Sequence, residues 1–125
     1  MINGKLEVED LPEAWNKKYK EYLGITPPND KLGVLQDTHW LGGAFGYFPS
    51  YALGNLYGAQ ILHYIKKELP YDELVSKGDL APILKWLREK DFAYDYLDPK
   101  DWILKVTGEE MNPQYFIEYL KNKFF

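Results

Sequence analysis

Between Thr38 and Ile65 the chain carries no Asp, Glu, Lys or Arg, although 27% of all residues are charged. An uncharged run of this length leaves three options: a membrane span, a buried helix, or the wall of a cleft. A spanning helix needs about 20 predominantly apolar residues. Five glycines, Pro49, Asn55, Gln60 and three tyrosines interrupt the stretch between Trp40 and Leu62. Pro49 and the cluster Gly42, Gly43, Gly46 break any helix running through its first half. The run therefore reads as a glycine-rich loop followed by a buried helix, and no membrane partner is expected.

A chain of 125 residues has material for one modest core, and a hydrophobic share of 46% argues against disorder. The aromatic share of 17% is high; tyrosine and tryptophan bring large buried area and keep a polar tip for a ligand. The net charge of −4, without a dense basic cluster, argues against phosphate neutralisation, so no nucleic-acid partner is expected. Without cysteine there is no disulfide framework, thiolate metal site or cysteine nucleophile. The N-terminal stretch MINGKLEVED has no apolar signal core, which makes cytoplasmic residence the expectation.

Punctuation along the rest of the chain is helical. Asp10 with Glu13 three residues on resembles a capping box, with Pro12 in the first turn and Gly24 as the stop of a helix over 11–23. Pro49 opens a helix over 49–68, on which Gly54 and Gly58 would let another backbone approach closely. A short helix over 71–77 stops at Gly78, and Asp79 is expected to cap the next, which carries Ile83, Leu84, Trp86 and Leu87. Asp98-Pro99 starts a helix that stops at Gly108, and Asn112-Pro113 starts the last. The expected fold class is all-α: a single irregular multi-helix domain over 1–125, with a glycine-rich loop, or alternatively a short hairpin, around 31–48.

Chemistry-bearing motifs are sparse. His39 and His63 stand far apart, and there is no HExxH spacing, P-loop or GxSxG. No self-contained metal site and no cofactor for this chain alone are expected. Glu109-Glu110 and Asp72-Glu73 read as solvated helix-end charges, and His63 as an ordinary surface or core histidine. His39 differs, because QDTHW places a carboxylate two residues before an imidazole. In an extended segment Asp37 and His39 would share a face, where the carboxylate fixes the imidazole tautomer or favours its cation. Tyr47 and Tyr51 follow, and a histidine with one or two tyrosine hydroxyls makes a cradle for a developing oxyanion. On spacing alone, a buried Asp, His and Tyr network without a substrate accounts for these residues equally well.

GVLQDTHW fits GxxQDxHW, and together with GAFGYFPSYALGNLYGAQ it resembles the C-terminal region of the carboxypeptidase Taq family of zinc metallocarboxypeptidases. The similarity extends to DLPEAWNKKYKEYLGI upstream and to WLRE and TGEEMNPQYFIEYLKNKF downstream. The resemblance implies a helical enzyme with a deep groove, often a homodimer, that removes C-terminal residues from peptide substrates. It implies that zinc belongs to the complete enzyme, whose HExxH helix, third ligand and carboxylate-binding arginines all lie upstream of this region. For this chain it implies His39 and Tyr47 as substrate or oxyanion donors, with Gln36, Asp37, Trp40 and Tyr51 in the substrate-binding wall. The YFPSY run favours Tyr47 over Tyr51 as the donor. After WLRE the family pattern continues with a histidine and a glycine, whereas this chain has KDFAYDY.

Two functional readings follow from these expectations. The chain is the C-terminal, cleft-forming piece of a carboxypeptidase, inactive alone and completed by an upstream half. Alternatively, it is an autonomous helical interaction module that self-associates through the former cleft surface. Either reading expects a homo-oligomer.

Overall fold

A computed structural model of the chain describes residues 3–125. The reading of the N-terminal stretch as free of a signal core includes Met1 and Ile2, which lie outside them. All regular elements among the described residues are helical: α1 (Leu11–Leu23), α2 (Phe48–Glu68), α3 (Tyr71–Lys77), α4 (Ala81–Lys90), α5 (Pro99–Thr107) and α6 (Gln114–Phe124). None is long and apolar enough to cross a membrane. The sequence reading treats 1–125 as one helical domain; the backbone clusters into two compact units, Met1–Tyr47 and Phe48–Phe125.

In the first unit α1 begins without the expected capping box. Asp10 stands at the N-cap position but in αR conformation (φ −85, ψ −5), and its side chain makes no capping bond. The cause lies one turn earlier. The Leu11 N–H bonds the Val8 carbonyl at 3.2 Å, so the chain enters the helix through a tight turn rather than from extended backbone. Gly24 ends the helix in the left-handed region (φ 74) as expected.

Residues 31–48 contain no strand, so the hairpin alternative is not what forms. The segment is instead a chain of 3-10 turns, Asp30–Leu32, Val34–Gln36 and Thr38–Gly42. Two side chains explain this. Asn29 Oδ1 accepts from Leu32 N at 3.0 Å and Asp37 Oδ1 from His39 N at 3.0 Å, local bonds that compete with a sheet ladder. The close-approach glycine is here too: a Cβ on Gly33 would sit 3.1 Å from Pro27 Cβ and 3.2 Å from the Asn29 carbonyl. Gly54 and Gly58, expected to admit a second backbone, have nothing within 4 Å of where a Cβ would stand.

The second unit holds a core of Ile61, Ile65, Trp86, Ile103 and Val106, with Tyr57, Trp102 and Met111 packed against it. Gln60 lies at its centre, fully buried, and ties α2 to the α5–α6 connection. Its Nε2 donates to Thr107 Oγ1 at 3.0 Å and to the Glu110 carbonyl at 3.2 Å, and its Oε1 accepts from Asn112 N at 2.9 Å. Asp79 does not cap α4. Leu80 occupies that position, while the Asp79 N–H, one residue past Gly78 (φ 70), closes the end of α3 on the Leu74 carbonyl. Asp98 stands at the N-cap of α5 without a side-chain capping bond, and Gly108 (φ 82) ends that helix. Where KDFAYDY follows WLRE, α4 ends and Phe92–Tyr94 form a 3-10 turn, with Trp102 Nε1 donating to Asp91 Oδ1 at 3.0 Å.

Candidate functional site

The QDTHW segment supplies the site's centre. Asp37 is 6% exposed and opens the 3-10 turn Thr38–Gly42. Its Oδ1 lies 3.0 Å from His39 N and 2.9 Å from His39 Nδ1. The pairing expected from strand alternation therefore forms by another route. The carboxylate caps the backbone two residues on, and the same geometry brings the imidazole onto it. Gly43 and Gly46, both left-handed (φ 76), return the chain so that Tyr47 stacks on the His39 ring. The ring centroids are 4.9 Å apart and the planes 19° from parallel. Asp37, His39 and Tyr47 are thus brought together within the first unit.

The other residues of the motif have different surroundings. Gln36 Nε2 donates to the Lys31 carbonyl at 2.6 Å and fastens its own loop. Trp40 packs edge-on against Trp15 of α1, at 5.9 Å and 89°, and stacks on Phe45. Beside Trp40, the α1 side chains Leu11, Trp15, Tyr19, Tyr22 and Leu23 line an apolar groove of about 460 Å³. The buried Trp15 Nε1 has no hydrogen-bond partner. Tyr51 stands in the first turns of α2 in the second unit, with its ring 5.9 Å from Phe48.

A second polar cluster was not anticipated from the sequence. Glu109, read there as a solvated charge, accepts from the Tyr115 hydroxyl at close range and from the Tyr64 hydroxyl at 3.3 Å. The Glu109 carboxylate raises Tyr115 well above the ordinary tyrosine range. His63 lies alongside, its ring 4.5 Å from that of Tyr115, and lines a groove of about 490 Å³ with Lys66 and Glu118. The partners sit 45 positions apart for Tyr64 and Glu109, a separation without any local sequence signal. Elsewhere, Lys90 and then the Trp86 indole hold Glu68 below the usual carboxylate range, and burial pushes Asp91 above it.

The carboxypeptidase Taq (M32) metallopeptidase family matches over residues 1–124. Carboxypeptidase 1 of Bacillus subtilis (strain 168) is 49% identical over 126 residues, which take in 99% of this chain and 25% of that protein. The solved structure of metallocarboxypeptidase 1 of Trypanosoma cruzi aligns with a TM-score of 0.89 at 39% identity, over 98% of this chain and 26% of that one. An M32 carboxypeptidase from Deinococcus radiodurans R1 aligns with a TM-score of 0.87 at 32% identity, over 98% of this chain and 25% of the other. The chain thus spans about a quarter of the length of the curated relatives it matches.

Proposed function

This chain belongs to the carboxypeptidase Taq (M32) metallopeptidase family, and we propose that it forms the C-terminal, substrate-cleft portion of a zinc metallocarboxypeptidase. In this reading the complete enzyme removes C-terminal residues from peptides. The observation that carries the proposal is the Asp37, His39 and Tyr47 cluster, assembled on the GxxQDxHW segment of a chain that aligns almost end to end with family members. Among the described residues no group of three or more His, Asp or Glu stands close enough to hold a metal ion. In this reading zinc and the general base belong to the remainder of the enzyme. What this chain contributes is hydrogen bonding. The Tyr47 hydroxyl donates to the oxygen on which charge develops, and His39, when protonated, adds a second donor. Gln36 and Trp40 hold the loop that carries them.

The partner in this reading is the upstream portion of the enzyme, and the peptide is the substrate. Mixing the chain with the upstream portion of a close relative, expressed separately, should give zinc-dependent release of C-terminal residues that neither piece shows alone. No activity from any such mixture would sink the proposal. The second reading, a self-associating helical module, has its own support. The groove on α1 is apolar, and Phe48, Tyr51 and Leu53 lie exposed on an uncharged stretch of α2. It expects a dimer by light scattering; a monomer at low micromolar concentration counts against it.

A further inference from the structure

We propose that Asp37 is a positioning residue: its carboxylate fixes His39 as the Nδ1–H tautomer, so that Nε2 is the ring nitrogen that serves the peptide substrate. The word substrate rests on the carboxypeptidase reading; the tautomer does not. An ionised carboxylate only accepts hydrogen bonds, so a 2.9 Å contact between Asp37 Oδ1 and His39 Nδ1 places the proton on Nδ1. The same oxygen accepts the His39 backbone N–H at 3.0 Å. Ring and backbone are therefore tied to one atom, which restricts the side-chain torsions as well as the tautomer. Tyr47 stacks along one face of the ring and limits its rotation further. The hydrogen bond at one ring nitrogen determines what the other can do. In the neutral ring Nε2 accepts; in the cation it donates, with the positive charge held against Asp37. At 6% exposure Asp37 itself offers little surface to a peptide, so its effect passes through His39.

The test is a long-range proton–nitrogen correlation spectrum of the uniformly ¹⁵N-labelled 125-residue chain, recorded where both histidines are neutral. His39 should show a protonated-type Nδ1 and a bare-type Nε2. His63, which makes ring contacts with Tyr64 and Tyr115 and bonds no carboxylate, is the internal reference. Asp37→Asn keeps the shape but adds an amide donor, and should move His39 toward the Nε2–H pattern. A bare Nδ1 in the wild-type chain overturns the proposal even if the variant does not fold, and so does an Asp37→Asn spectrum identical to wild type. In the reconstituted enzyme Asp37→Asn should lower turnover by about tenfold or more while leaving KM near wild type. Unchanged turnover there also overturns it. Failure of reconstitution sinks the carboxypeptidase reading and leaves the spectrum to decide the tautomer.

Discussion

Replacing Gln60 by leucine removes the amide that braces the second unit while nearly conserving its volume. The amide is fully buried and makes three hydrogen bonds, to Thr107 Oγ1, the Glu110 carbonyl and the Asn112 N–H. Thr107 keeps a partner, because its hydroxyl also donates to the Ile103 carbonyl at 2.7 Å. The Asn112 N–H and the Glu110 carbonyl each lose the Gln60 partner. Both bonds are only partly buried, so each loss stays near the lower end of the about 1–3 kcal/mol that an unsatisfied buried group costs, roughly 2–4 kcal/mol together. The apolar leucine side chain offsets roughly 1–2 kcal/mol of this. The expected net loss is about 1–2 kcal/mol, still a large fraction of the stability of a small domain. Urea titration followed by circular dichroism should then show the midpoint falling by about 0.5–1 M at an unchanged slope. A shift below about 0.3 M would refute the reasoning, because it would mean that the buried amide does not hold α2 to the α5–α6 connection.

The remaining predictions concern packing, charge and metal. Gly33→Ala should lower the melting temperature and cost about 1–2 kcal/mol, since its Cβ presses on Pro27 and on the Asn29 carbonyl; a neutral result would mean that this loop yields freely. Glu68 is held below its ordinary value of 4.5 chiefly by Lys90, so it contributes stability that is present above that pH and lost as pH falls through its folded value. Asp91 has the opposite sign, its stability contribution falling as pH rises from 3.8 through its raised folded value. Urea midpoints between about pH 3 and pH 6 should therefore flatten on the acid side in Glu68→Gln and rise at the upper end in Asp91→Asn; the same pH profile in both variants would contradict these assignments. Elemental analysis of the purified chain should find no stoichiometric zinc, and one tightly held zinc lost on His39→Ala would contradict that.

Helix ends were more legible in the sequence than helix starts. Gly24, Gly78 and Gly108 all stop helices in the left-handed region, a conformation glycine adopts at no steric cost, so the residue type alone signals the stop. Starts depend on how the chain arrives. Asp10 and Asp79 looked like caps, yet neither caps its helix: α1 is entered through a tight turn, and the Asp79 N–H closes α3 on the Leu74 carbonyl. The glycine-rich segment took its form from Asn29 and Asp37, whose short side chains bond backbone two or three residues on. The Asp37 and His39 pair was legible because both partners are local. The Gln60 bonds and the Tyr64–Glu109 contact were not, since those partners lie 45 or more positions apart and only tertiary packing brings them together.

The most direct measurement of the central claim is the turnover of the reconstituted enzyme carrying Tyr47→Phe. The change removes one hydroxyl and leaves the ring that stacks on His39. If this chain supplies a donor to the developing oxyanion, turnover should fall about 100- to 1,000-fold with little change in KM. An active reconstituted enzyme whose turnover is unchanged by Tyr47→Phe would contradict the claim.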